Sequence, residues 1–139
     1  MRNLAAEMPP RPISREEYHD YNLVGLSLQR REAELLLESP DGLRTSIKLV
    51  GVERLLGMDV LEGNIIDCID CHAISAENVR LVLGEFRATG SGYFGDKSVS
   101  DIEASGALMN KTFVAVRPIH GASILAVAAS VMEIPVSPI

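Results

Sequence analysis

The chain has 139 residues, a net charge of −6 and 47% hydrophobic residues. This length suits one globular domain with an ordinary core, and the hydrophobic content excludes an intrinsically disordered chain. The acidic balance is unsuited to nucleic-acid binding, which requires a basic face.

The hydropathy pattern predicts a protein that neither crosses nor enters a membrane. No apolar run approaches the ~18 residues of a membrane-spanning helix. Residues 1–12 lack the apolar stretch of an export signal. We therefore expect a cytoplasmic protein whose two cysteines are reduced thiols.

The first part of the chain divides into an arm and a strand. Residues 1–18 contain three prolines and no hydrophobic period, which predicts an irregular N-terminal arm on a single domain spanning residues 1–139. From residue 23 the sequence alternates with period two. Val24, Leu26 and Leu28 alternate with small or polar residues, which predicts a β-strand.

A hairpin follows, and its turn determines the strand register. Residues 39–42 (SPDG) are typical of a three-residue loop centred on Asp41, with Gly42 in a left-handed conformation. The resulting register contains two pairs on a largely apolar side and two pairs of opposite charge: Leu35 with Ile47, Leu37 with Thr45, Glu34 with Lys48, and Glu38 with Arg44. A slip of one residue would break both patterns, so the register is well specified.

The segments around the hairpin extend the sheet. A tight connection at Arg30 and Arg31 predicts that the first strand joins the hairpin in a three-stranded meander. Residues 52–57 predict a short helical turn, and residues 64–71 predict a fourth strand.

The second half of the chain predicts one or two short helices and two closing strands. Residues 101–110 predict a weak second helix, and residues 112–117 and 123–134 predict strands, although the alanine-rich last segment also fits a helix. Ser75 is a candidate N-cap for the first helix, which ends near residue 87. Its apolar side contains Val79, Val82, Leu83 and Phe86. The expected fold class is α+β: an antiparallel meander or sheet with one or two short helices inserted after the fourth strand.

Cys68, Cys71 and His72 form a C-x-x-C-H motif, the pattern of covalent haem c attachment. The same residues are candidates for a redox pair or, with a fourth ligand, a zinc site. In an extended strand, however, residues three apart face opposite sides and lie about 10 Å apart, beyond the ~7 Å limit for a disulfide. We expect the strand to continue through the motif, and we expect no cofactor. The three residues are kept as candidates for a redox, haem or metal-binding protein.

A glycine-rich segment at residues 90–95 matches G-x-G-x-x-G without the strand and helix that phosphate binding requires. It predicts a surface loop in which Tyr93 and Phe94 are candidate partner contacts. The serines, acids and histidines form no recognisable nucleophilic motif, so no catalytic residue is assigned.

Negative charge is concentrated between residues 53 and 77, a segment that contains six acidic residues and one arginine. An acidic surface of this kind suits a basic protein partner. The candidate partner-binding acids are Glu53, Asp59, Glu62, Asp67 and Asp70.

Two stretches, residues 63–67 (GNIID) and residues 117–124 (RPIHGASI), resemble a group of small uncharacterised bacterial α+β proteins. Some proteins of this group are similar to immunity proteins or antitoxins. The resemblance implies a hairpin-rich sheet and a protein partner, and it carries no catalytic residue. The sequence therefore predicts a non-enzymatic protein-binding module. The alternatives are the redox, haem or metal protein described above and a structural subunit or homo-oligomer that associates through an exposed edge strand.

Overall fold

The structure is a computed structural model that describes residues 2–3, 16–61, 63–89 and 99–136. Most of these residues lie in antiparallel strands, so the protein is mainly β with two short helices. The elements are β1 (Arg2–Asn3), β2 (Asn22–Gln29), β3 (Glu32–Glu38), β4 (Arg44–Met58), β5 (Ile65–Ala73), α1 (Val79–Ala88), α2 (Val99–Ser105), β6 (Thr112–His120) and β7 (Ser123–Val136). The predicted sheet and the predicted position of the helices, after the meander and its next strand, are confirmed.

The sheet closes into a barrel of six strands. Its order is β7-β4-β3-β2-β5-β6, β6 pairs again with β7, and β1 adds to β7 outside this circuit. Residues 124–128 of β7 pair with both β4 and β6. We call the junction of β2 with β5 the seam. Its ladder is much shorter than the others in the barrel and contains the single pair Asn22–Ile65.

The β3–β4 hairpin has the predicted register at all four pairs. Gly42 adopts a φ of 85°, the left-handed conformation that the loop requires. On the outer side, Arg44 Nε donates to Glu38 Oε2 at 2.9 Å. Lys48 lies opposite Glu34, but its ammonium is 3.5 Å from Glu32, two residues along β3 on the same face, so the second charge pair is diagonal.

β4 does not form the helical turn predicted for residues 52–57. The strand continues to Met58 and stays paired with β7, with a register shift between Val52 and Arg54. Gly51 has a φ of 67°, and a Cβ at this position would lie 2.8 Å from the Ala129 Cβ. Glycine and the bulge therefore let β4 bend around the barrel without leaving the sheet.

The last strand is buried on both faces, which explains its alanine-rich sequence. Ile124 and Ala126 point into the barrel interior, whereas Leu125 and Val127 belong to a second core beneath the helices. A strand covered on both sides becomes a continuous apolar run rather than an alternating one. This resolves the ambiguity for residues 123–134 in favour of a strand.

Helix α1 buries the predicted apolar side against this second core. It begins at Val79, later than predicted, because Ser75 starts a turn in which its carbonyl accepts hydrogen bonds from the Asn78 and Val79 amides. Helix α2 is also shorter than predicted and ends at Ser105. Among the described residues, no helix is long and apolar enough to cross a membrane.

The described parts of the predicted N-terminal arm pair with the sheet or pack into the barrel. β1 pairs with β7 at Glu133 and Met132. Tyr18 is buried in the barrel interior, where its hydroxyl donates to Glu133 and its ring packs edge-on against Tyr21 at 5.3 Å. The rest of the arm and the glycine-rich loop with Tyr93 and Phe94 lie outside the described residues.

Candidate interaction surface

The C-x-x-C-H motif lies within β5, which stays extended through it. Cys71 points into the barrel interior and is 1% exposed. Cys68 pairs with Arg117, whose guanidinium lies on the outer, helix-facing side of the sheet. The two thiols therefore face opposite sides of β5, so neither a disulfide nor attachment to one haem fits this geometry. Burial also raises the pKa of the Cys71 thiol to about 12, which makes it a poor nucleophile and metal ligand.

The side chains of His72 and Cys71 lie on opposite faces of β5, because they are successive residues of a strand. The His72 ring packs against Phe113 at a centroid distance of 5.4 Å, and its Nδ1 is 3.4 Å from the Asn78 side-chain nitrogen. In the described part of the chain, no cluster of three or more His, Cys, Asp or Glu side chains is placed to hold a metal ion. Cys68, Cys71 and His72 do not converge on a common point.

Two of the predicted partner-binding acids are engaged within the molecule. Glu53 accepts hydrogen bonds from Lys111 and from Arg31, the latter at 3.1 Å. The hydrogen bond from Lys111 and the positive charges of both partners lower the pKa of Glu53. Asp70 accepts from Arg117 Nε at 2.7 Å. Both carboxylates pair with cationic side chains from other strands or loops, so their negative charge is largely neutralised.

Arg117 forms the centre of a three-element ion-pair network. It also donates through Nη2 to Glu85 of α1 at 2.8 Å, so β5, β6 and α1 are joined through one guanidinium. Glu85 and then Asp70 raise the pKa of Arg117, while partial burial opposes them. The position of Asp70 is therefore explained by the packing of α1 on the barrel.

The remaining described candidates, Asp59 and Asp67, are exposed. Glu62 lies outside the described residues. Asp67 lies beside Asp20, and their side chains are 58% and 59% exposed. Asp20 is distant from Asp67 in sequence, and the two are brought together because the Asp20 amide donates to the Ile66 carbonyl at 2.9 Å across the seam. No sequence signal connects these two residues.

His19 lies between these two carboxylates. Its Nδ1 is 3.0 Å from the Asp67 carbonyl oxygen, and its Nε2 is 3.4 Å from Asp20 Oδ1. The hydrogen bond to the Asp67 backbone and then the charge of Asp20 raise the pKa of His19. The charge of this part of the surface therefore depends on pH.

An apolar groove opens where β2 and β5 separate. It has a volume of about 470 Å³ and is bordered by Leu23, Val24 and Leu26 on one side and by Val60 and Leu61 on the other. Both residues of the second wall are more than half exposed and directly follow Asp59. Carboxylate and apolar side chains thus lie next to each other.

The buried side chain of Asn64 holds this wall of the groove. Its Oδ1 accepts hydrogen bonds from the amides of Leu61 and Ala122, each at 2.9 Å, and its amide nitrogen donates to the Leu61 carbonyl. At Gly121 the chain passes so close that a Cβ would lie 2.4 Å from Asn64 Oδ1. The two stretches singled out in the sequence, residues 63–67 and 117–124, therefore meet at Asn64.

β2 is a strand as predicted, but much of its apolar side is exposed. Leu26 and Leu28 lie opposite the buried residues Leu35 and Ala33, on the core-facing side of the sheet. They are nevertheless 38% and 55% exposed. The cause is the seam, because β5 has turned away from β2 before this point.

Comparison with known proteins does not identify a relative. No family model, no curated protein and no solved structure matches the chain. Function is therefore inferred from the chemistry of the molecule's own surface. Exposed carboxylates and exposed apolar side chains occur together along the seam. We call these residues the seam surface: Asp20, Asp59, Val60, Leu61 and Asp67.

Proposed function

We propose that this protein is a non-enzymatic binding module whose seam surface holds a basic protein partner. The observation that supports this function is that three exposed carboxylates and two exposed apolar side chains lie along the same seam. Apolar contact provides affinity in protein interfaces, whereas complementary charge selects the partner and speeds the encounter. Asp59 and Asp67 carry over from the sequence prediction, and Asp20 is added to them.

Hydrogen bonds fix both ends of the seam surface, which favours binding. Its apolar wall is held by the hydrogen bonds between Asn64 and Leu61, at 2.9 and 2.6 Å. Its acidic end is held by backbone hydrogen bonds across the seam between Ile66 and the residues Asp20 and Tyr21. A surface that is ordered before binding loses less conformational entropy when the partner docks.

We further propose that the module acts in the manner of an immunity protein or antitoxin. Such a protein needs a surface that covers its toxin and needs no catalytic group of its own. The acidic seam surface and the resemblance carried by residues 63–67 and 117–124 support this role. An adjacent gene that encodes a toxin, and survival of cells that co-express both genes, would be the expected findings.

The binding proposal is tested by charge change at the acidic end of the seam surface. Asp67→Lys is combined with Asp20→Asn, because Asp20 has a φ of 66° and asparagine tolerates this conformation. Asp70 is unsuitable for charge reversal because it pairs with Arg117. The matched control is Asp41→Lys, which changes an exposed carboxylate at the tip of the β3–β4 hairpin.

The immobilised wild-type protein and the Asp41→Lys control are expected to retain the same basic protein from an extract of the native source. The double variant should release this protein at a lower salt concentration, since the attraction between exposed charges is screened by salt. Circular dichroism confirms that each variant is folded. The proposal is wrong if no basic protein is retained, or if the double variant retains it as strongly as the control does.

A further inference from the structure

We propose that two copies of this chain associate through the exposed edge of β2, with the two strands antiparallel about a two-fold axis at Ser27. This inference goes beyond the proposed function, because it concerns the edge of β2 at residues 25–29 and a second copy of the same protein; of the seam surface it uses Asp59 alone. It rests on the open edge, on the composition of the strand and on the charges at its ends.

Among the described residues, none pairs with the edge of β2 beyond the seam. The backbone contacts between β2 and the β5 side end with the hydrogen bond from the Leu23 amide to the Asn64 carbonyl, at 2.8 Å. From residue 24 to residue 29, β2 pairs with β3 alone within the described part of the chain. Alternate residues of such a strand direct their N–H and C=O groups outward, where another strand can pair with them.

The composition of β2 favours pairing with a second strand. Natural edge strands are commonly protected by lysine, proline or an inward-pointing charge. None of these residues occurs between Asn22 and Gln29. A bulge lies between Leu23 and Gly25, which leaves residues 25–29 regular.

The same segment is complementary to itself. In an antiparallel pair centred on Ser27, Leu26 of one copy lies directly opposite Leu28 of the other copy, and the reverse contact follows by symmetry. Both leucines are partly exposed in the single chain and lie on the core-facing side of the sheet. Pairing would therefore extend the sheet of each barrel and cover the apolar side chains that the open seam leaves exposed.

The charges at the ends of the segment favour a second copy as the occupant. Arg30 is exposed and directly follows β2, whereas Asp59 is exposed and directly precedes Val60, which lines the groove at the other end of the strand. In the Ser27-centred pair, Gln29 of each copy lies opposite Gly25 of the other copy, so Arg30, which follows Gln29, comes near the end of the segment where the groove opens. The pairing would therefore bring Arg30 of one copy toward Asp59 of the other at both ends, which would offset part of the repulsion between two chains of net charge −6.

Sedimentation equilibrium of the purified protein tests the association. We expect a mass about twice the 15.0 kDa of one chain at high concentration, with dissociation on dilution. Leu26→Lys introduces the charge that protects natural edges and should return the mass to that of one chain. The matched control is Leu81→Lys, because Leu81 is 74% exposed and lies on helix α1 rather than on the edge strand. This control should remain a dimer.

Cysteine cross-linking tests the position of the axis. Ser27→Cys places one thiol on each side of the two-fold axis, so mild oxidation should convert most of the protein to a covalent dimer. Leu81→Cys should cross-link far less, and the buried native cysteines do not interfere. A monomeric wild-type protein, a dimer that Leu26→Lys leaves intact, or Ser27→Cys cross-linking no greater than the control would each overturn the proposal. These measurements use the protein alone, so their failure leaves the test with a basic partner unaffected.

Discussion

At the scale of single residues, the surroundings of His19 form a titratable site that the fold assembles and that no sequence motif indicates. The imidazole lies between Asp20 and Asp67, with hydrogen-bond and charge contacts at 3.0 to 3.4 Å. These contacts favour the protonated ring, so they raise the pKa of His19. Because the pKa is higher in the folded protein, the contribution of His19 to stability is present below the unfolded pKa and is lost as pH rises through the folded value.

We predict that Asp20→Asn lowers the pKa of His19, because the neighbouring negative charge is removed. The hydrogen bond to the Asp67 carbonyl remains in this variant, so part of the upward shift should persist. An NMR titration of the His19 ring proton measures both values, with Asp41→Asn as the control. Equal pKa values in the wild type and Asp20→Asn would contradict this electrostatic arrangement.

The same titration has a consequence for binding. Protonation of His19 adds positive charge to the acidic end of the seam surface. Affinity for a basic partner should therefore fall as pH decreases through the pKa of His19. His19→Gln should remove this part of the pH dependence.

At the scale of single elements, local sequence was most informative where neighbouring residues determine the backbone. The turn residues 39–42 were sufficient to predict the register of the β3–β4 hairpin, because loop length and cross-strand pairs act over a few residues. The helical turn predicted for residues 52–57 was wrong because long-range pairing with β7 holds that segment in β4. The alternation in β2 predicted a strand correctly, but it contained no information on the partner of its second edge, which is unpaired over residues 24–29 in the described part of the chain.

Two glycine substitutions should change stability in opposite directions. Gly42 has a φ of 85°, so Gly42→Ala should lower the free energy of unfolding by about 1 kcal/mol. Gly84 lies within α1, has no left-handed φ and would bring a Cβ into open space. Gly84→Ala should therefore raise the free energy of unfolding by about 0.5–1 kcal/mol.

Urea denaturation, analysed as a single cooperative transition, measures the free energy of unfolding of both variants. The m-value should remain that of the wild type, because neither substitution alters the surface that unfolding exposes. If both variants shifted stability in the same direction, backbone conformation would not be the cause.

At the scale of the whole molecule, the barrel is closed unequally around its circumference. β4 and β7 pair along thirteen positions, whereas the β2–β5 ladder has a single pair. Closure at the seam depends instead on a few specific contacts, among which the side chain of Asn64 connects the β4–β5 loop with the β6–β7 turn. This arrangement places the groove, the seam surface and the exposed edge of β2 along the side of the barrel that has the shortest ladder.

We predict that Asn64→Ala lowers the free energy of unfolding by about 2–4 kcal/mol, because it leaves the Leu61 and Ala122 amides without their side-chain acceptor. Gln29→Ala removes an exposed amide side chain from β2 and should change stability by less than about 0.5 kcal/mol. Thermal and urea denaturation measure both variants. A loss below about 1 kcal/mol for Asn64→Ala would show that the seam is held by other contacts.

The sequence alone determined the antiparallel character of the sheet, the hairpin register and the extended course of β5 through Cys68 and Cys71. These features follow from alternation and turn chemistry, which act between residues close in the chain. The tertiary structure decided the closure of the barrel, the pairing of Asp70 with Arg117 and the approach of Asp20 to Asp67. Such contacts join residues tens of positions apart, because burial of apolar surface by the whole sheet, rather than local preference, brings them together.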